Sequence, residues 1–219
     1  MKSKIHENRK NKLQRLSKNS IFLLAILFTS FTTFSQLRGS GKTITKTFDY
    51  QNFNKVNFDD LDGKHEIEVG KPFSISITID DNLANLLTLV ENADEKLLTV
   101  SLKGNRNNKM YIERTKISVK ITMPFLAEVS NNGNSGLIVS NIKSKNFKSE
   151  NPVNGSTTLS GIVDNLEVVC NGNGNLDATK LVAKNAKITC RGNGNARVNA
   201  IKITESNKSG NGNIENINQ

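Results

Sequence analysis

Apolar and polar side chains alternate strictly over much of residues 42–128. Phe73-Ser-Ile75-Ser-Ile77-Thr-Ile79, Leu98-Thr-Val100-Ser-Leu102 and Ile117-Ser-Val119-Lys-Ile121-Thr-Met123 all follow period two. Val56-Asn-Phe58 and Ile67-Glu-Val69 are shorter examples. A pleated strand turns successive side chains to opposite faces, so this pattern predicts half-buried strands. Gly63, Gly70-Lys-Pro72, Gly104-Asn and Pro124 supply turn chemistry between them. One stretch departs from period two. Asn82–Val90 sets Leu83, Leu86, Leu87 and Val90 at helical spacing, which predicts a short helix with Asp80 and Asp81 as its caps.

Residues 129–219 change pattern. Short alternating runs such as Leu166-Glu-Val168-Val-Cys170, Ala186-Lys-Ile188-Thr-Cys190 and Ile201-Lys-Ile203 are separated by turns rich in Gly and Asn. The leading glycines of these turns are Gly133, Gly155, Gly172, Gly192 and Gly210, and Gly174, Gly194 and Gly212 follow. The repeat is close to 20 residues, counted along these glycines. Short strands and tight turns at a fixed period predict stacked rungs, because one rung cannot bury its apolar face alone. The fold expected is all-β: a parallel β-solenoid, or β-helix-like stack, of about four to five rungs. A strand-rich part, 36–128, is continuous with the repeat part, 129–219. Glycine is expected at the corners because positive φ suits it, with Asn tolerated there. Asn side chains on successive rungs are expected to hydrogen-bond along the stack.

The N-terminus differs from both parts. A basic stretch ending at Lys18 precedes the apolar run that begins at Ile21, and Ser35 closes the segment. The apolar run is about 14 residues against the roughly 20 needed to span a membrane. The pattern is that of a secretory signal peptide, residues 1–35, with cleavage before Gln36. The expected location is therefore the periplasm, the outer surface or the medium.

Charge supports this division. The whole chain carries a formal +10, but residues 1–35 hold seven basic side chains and one acid. The remainder holds 23 basic and 19 acidic groups. With no Trp and two Tyr, little surface suits base stacking, so nucleic acid is not an expected partner. Contact with a membrane is expected only through residues 1–35, should they stay attached.

The candidate chemistry is sparse. Cys170 and Cys190 each lie two residues before a turn glycine, at equivalent places on adjacent rungs, facing the core with Val168 and Ile188. They are a candidate disulfide in an oxidising compartment, or a stacked pair of buried thiols. His65 stands alone, so no metal set is expected. Gly172-Asn-Gly-Asn-Leu-Asp177 only brushes the calcium-binding nonapeptide, and the period is twice too long. The acids Glu128, Glu150, Asp164, Glu167, Asp177, Glu205 and Glu215 show no two at rung spacing with the same facing. A catalytic carboxylate pair is therefore not expected, and no cofactor is. Asp59-Asp60-Leu-Asp62 reads as a solvated acidic turn.

The strands Phe73–Ile79, Leu98–Leu102 and Ile117–Met123, then Pro124-Phe-Leu, then Gly-x-Gly turns at rung spacing, resemble the head GIN domain family over residues 44–217. The resemblance implies a secreted or cell-envelope protein described as an auto-transporter adhesin, with no established biochemical activity. Family turns usually read Gly-Ser-Gly-Asp, whereas Asn175, Asn195 and Asn213 stand at the acidic position here. The function expected is a non-catalytic surface module, with Asn173, Asn193 and Asn211 as a candidate binding ridge for glycans or surface proteins. The alternatives are a structural or stress-related envelope protein without an external ligand, and a carbohydrate-active enzyme on a β-helix scaffold.

Overall fold

A computed structural model describes residues 37–103 and 112–218. The signal segment, its cleavage point and the Gly104-Asn105 turn lie outside the described residues. The described chain is all-β. Its strands are β1 (Leu37–Arg38), β2 (Thr43–Phe48), β3 (Lys55–Asp59), β4 (Lys64–Val69), β5 (Ser74–Asp80), β6 (Leu87–Asn92), β7 (Leu97–Leu102), β8 (Ile112–Glu113) and β9 (Ser118–Met123). They continue with β10 (Glu128–Asn132), β11 (Gly136–Asn151), β12 (Ser156–Cys170), β13 (Leu176–Cys190), β14 (Ala196–Lys208) and β15 (Ile214–Asn216). Short β1 and β8 pair with each other, and the other thirteen strands form one sheet.

From β10 to β15 each strand lies parallel to the next. Burial along β13 shows how one repeat is built. Leu176, Ala178, Leu181, Ala183, Ala186, Ile188 and Cys190 point inward, while Lys180, Val182, Lys184 and Lys187 point out. The inward rhythm skips at Thr179-Lys180 and again at Lys184-Asn185. Each skip bends the strand, so one 15-residue strand presents three short inward-facing segments.

The two halves of the chain share a core. Leu98, Val56, Val129, Ser149, Val168 and Ile188 form one inward column across β7, β3, β10, β11, β12 and β13. Every member is buried. Burying an aliphatic side chain of this size stabilises the fold by about 1.5–3 kcal/mol, so the column runs the core across the junction between the halves.

Two expectations require correction. The sheet is mixed, not wholly parallel: β5 runs antiparallel to β2 and β9, and β6 antiparallel to β7. Four residues join β6 to β7, which permits a hairpin but no crossover. The helix expected at 82–90 is a single 3₁₀ turn, Asp81–Leu83, followed by β6. Its apolar positions do not share a face, since Leu83 is fully buried and Val90 is 55% exposed. Pairing with β7 outweighs the local helical spacing. Asp80 caps nothing with its side chain. Its buried carboxylate instead accepts the backbone N–H groups of Gly41 and Lys116, tying three segments together.

The turn glycines also have a different reason from the one expected. Of the eight predicted, only Gly210 has positive φ, at 118°. A Cβ on Gly174, Gly194 or Gly212 would collide with the backbone carbonyl of Gly155, Gly174 or Gly194 on the preceding rung. The requirement is close stacking of backbones, not left-handed dihedrals. This stacking realigns one repeat. Gly155 lies under Gly174, and Val153 lies under Gly172. Gly155 is thus the second residue of its Gly-x-Gly position, not the first.

Candidate binding surfaces

The Asn residues of the predicted ridge are brought together. Asn154 donates Nδ2–H to Asn134 Oδ1 (3.1 Å), and Asn173 donates to Asn154 (2.8 Å). Asn193 donates to Asn173 (2.8 Å) and Asn211 to Asn193 (3.0 Å). All five amides are exposed and form one ladder along the turns. Beside it, the backbone N–H groups of Asn195 and Asn213 donate to the side-chain oxygens of Asn175 and Asn195 (2.9 and 2.8 Å). Asn175 and Asn195 are therefore turn-to-turn acceptors, whereas the Asn213 oxygen accepts from Lys208.

A second amide ladder lies outside the predicted ridge. Asn165 donates to Asn146 (2.8 Å) and Asn185 to Asn165 (3.0 Å). It borders a groove of about 520 Å³ whose walls include Lys148, Glu167 and Lys187, with Phe147 and Leu166 beneath.

Those walls belong to a ladder of charges. Lys55, Glu128, Lys148, Glu167, Lys187 and Glu205 are in register on β3, β10, β11, β12, β13 and β14. Their signs alternate without a break. Glu128 lies 3.9 Å from Lys55 and 3.5 Å from Lys148, and Lys187 bonds Glu205 at 2.9 Å. Lys148 also pairs with Glu150 on its own strand. The acids Glu128, Glu167 and Glu205 recur with one facing at every second rung, with a lysine between each pair, so no two of them are neighbours at single-rung spacing. Asp177, Arg197 and Glu215 form a second, shorter ladder of this kind.

A general acid needs its proton held near neutrality, and Glu205 and Asp177 are shifted the other way. The hydrogen bond from Lys187 holds Glu205 below its ordinary value, and the Thr179 hydroxyl does the same for Asp177. Asp164 pairs with Lys184 at 2.6 Å. Asp60 is the one acid pushed up among the described residues, by burial and then by Asp62 and Asp59. It sits in the acidic turn, where its N–H bonds Asn132 O (2.7 Å) and Asp59 accepts from Asn132 Nδ2 (2.6 Å). Among the described residues no three His, Cys, Asp or Glu side chains gather into a metal-holding group.

His65 is buried, stacked on Phe58 with centroids 4.5 Å apart. Its Nε2 lies 3.2 Å from the Leu61 carbonyl, to which the N–H donates, and Nδ1 has no partner. It faces the core and is closed to a substrate.

Cys170 and Cys190 are register partners and buried, as free thiols. The hydrogen bond to Cys190, together with burial, pushes the Cys170 thiol far above its ordinary value. A thiol held protonated is a poor nucleophile. The same bond pulls Cys190 the other way, but both side chains are buried, so reduced native protein should resist alkylation and unfolding should make both thiols reactive; one fast-reacting thiol in the native state would contradict this. The bridge between them is a proposal for the oxidised protein. Titration of unfolded, unreduced protein decides it, with no free thiol if it forms and two if it does not.

Two functional details were missed in the sequence. Buried Asn131 and Asn151 sit in otherwise apolar slots and donate to the turn carbonyls of Ser135 (3.1 Å) and Gly155 (2.9 Å). On the next two rungs the register partners of Asn151 are Cys170 and then Cys190, so thiols take the place of this amide. The only sequence signal was the phase of Asn151 with Ser149 and Phe147, which places it inward.

No helix of the described residues is long and apolar enough to cross a membrane. No curated protein matches the chain. Among solved structures, the fold is similar to that of a "putative adhesin" from Bacteroides fragilis NCTC 9343. That pair has a TM-score of 0.60 and 19% identity, covering 83% of this chain and 100% of the other. A "putative adhesin" from Parabacteroides merdae ATCC 43184 gives a TM-score of 0.51 and 22% identity, over 83% of this chain and 99% of that one. The family described as "Putative auto-transporter adhesin, head GIN domain" matches residues 52–219. With that match spanning most of its length, the chain belongs to the head GIN domain family.

Proposed function

We propose that this chain is an exported, non-catalytic binding module of the cell envelope, adhesin-like in action, whose repeat half is wound as a parallel β-solenoid. The observation that carries this reading is the five-rung amide ladder from Asn134 to Asn211. An Asn amide has two N–H donors and two carbonyl lone pairs. Each interior member uses one donor and one lone pair within the ladder. One of each remains outward, repeated about every 4.8 Å on a backbone that does not yield. A glycan or an extended protein segment meets such a row through many weak bonds, whose strength comes from their number.

The test is binding of purified protein to a panel of glycans and matrix proteins at low and high salt. Neutral amides predict binding that survives salt. Changing Asn173, Asn193 and Asn211 together to Ala should abolish it. The stability lost should stay near the roughly 0.5–1.5 kcal/mol of each exposed hydrogen bond removed. A variant that still binds the panel as before would sink the assignment of this surface.

The structural alternative draws on the same ladder, because amides that bond one another stabilise the stack without any ligand. Failure to bind any panel member would favour it. The carbohydrate-active alternative has less support, since the carboxylates in register with one another alternate with lysines.

A further inference from the structure

The bend segments of β11 to β14 form an outward face that the adhesin reading does not use. Ile162 and Val182 are register partners, 66% and 43% exposed. Ile201 follows Ala200, the partner of Ala183, and is 68% exposed, the largest value of any apolar side chain described. Exposed Lys143 is the register partner of Ile162, and Lys145, Lys180, Lys184 and Lys202 stand exposed around them. The single acid of these segments is Asp164, already tied to Lys184. Five lysines against one acid leave this face at +4, the same as the whole of residues 36–219. The remaining residues of 36–219 therefore sum to a formal charge of zero, whereas this face, where the apolar side chains protrude, is strongly positive.

We infer that this face docks on the headgroup layer of an anionic lipid membrane. Lysines draw the face to anionic headgroups, and apolar tips on neighbouring strands enter the headgroup–acyl boundary. A soluble polyanion would satisfy the lysines and leave Ile162, Val182 and Ile201 in water. The apolar component is what selects a lipid surface.

The protein has no Trp, so a single introduced indole reports its own surroundings. The experiment uses the full chain with Ile162→Trp, and separately with Val90→Trp on β6 as the reference site. Each is mixed with vesicles of phosphatidylcholine alone, or with added phosphatidylglycerol, carrying bromine-labelled acyl chains. Residues 1–35 are common to both proteins, so attachment through them cannot distinguish the sites. The expected result is a blue shift and bromine quenching of the Ile162→Trp indole on anionic vesicles only, with no change at Val90→Trp. Each lysine near an anionic surface contributes about fivefold in partitioning, so adding Lys143→Gln, Lys184→Gln and Lys202→Gln should weaken the response about a hundredfold. Circular dichroism of each variant verifies that the fold is retained. An unshifted Ile162→Trp indole on anionic vesicles would overturn the proposal. So would equal quenching at both sites, or binding of dextran sulfate that leaves the vesicle response absent.

Discussion

Replacing Gly194 by alanine should destabilise the protein by about 3 kcal/mol or more, the upper range for forcing atoms into a filled interior. The new methyl would fall on the carbonyl oxygen of Gly174, a backbone atom that cannot rotate away. The rung must lift. Lifting it breaks the N–H bond from Gly194 to Gly172 O (3.2 Å) and strains the Asn193–Asn173 amide bond (2.8 Å). Gly136→Ala is the control. It too lies in the repeat half, but nothing stands within 4 Å of the position its Cβ would take. That change should be near neutral, or stabilising by up to about 1 kcal/mol through the unfolded chain. Denaturant midpoints of the two variants measure the difference. Equal midpoints would show that rung spacing is not set by the glycines.

Phe58→Ala should cost about 3–5 kcal/mol and also change how the protein responds to acid. Phe58 is fully buried and covers the ring of His65. Burial pulls His65 below its ordinary value, against its bond to the Leu61 carbonyl. The unfolded imidazole titrates near 6.5. The unfolded state then takes up a proton more readily than the folded one, so stability is complete above about 6.5 and is lost as pH falls from there toward the folded value. Each unit of depression corresponds to about 1.4 kcal/mol. Removing the Phe58 ring admits water to the imidazole and reduces the depression. Phe58→Ala should therefore be less stable at neutral pH yet lose proportionately less between pH about 7.5 and about 5.5. Midpoints measured at both values test this, and an acid response identical to that of the unaltered protein would refute the role given to His65.

Much of the repeat half was legible because its rules are local. The alternation around Val168 and Ile188 placed Cys170 and Cys190 inward, and the turn spacing made them neighbours. Asn-rich turns pointed to amides in line. What escaped depended on relations between rungs. The charge ladder is hidden because its sign reverses at each step, so a search for recurring acids passes over Glu128, Glu167 and Glu205. Gly155 has no local mark of its turn position, because only the carbonyl beneath Gly174 shows which glycine lies over which. Asn131 and Asn151 look like turn residues, yet they are buried clamps. In the N-terminal half, Leu83 to Val90 satisfied a helical spacing that pairing with β7 overrode. Among the surfaces, the apolar and basic bend face was not visible in the sequence, since Lys143, Ile162 and Ile201 meet only through the strand register.

The charge ladder also governs how such a protein can grow. Its backbone repeats every rung, but its charges repeat only every second rung. Copying a single rung into the stack, for instance the one bearing Lys187, would set lysine beside lysine, and like charges directly opposite one another are destabilising. Copying two consecutive rungs would preserve the alternation throughout. Lengthening by gene duplication, or by design, should therefore be tolerated in even steps and penalised in odd ones, a parity rule written by the side chains on a scaffold that has none.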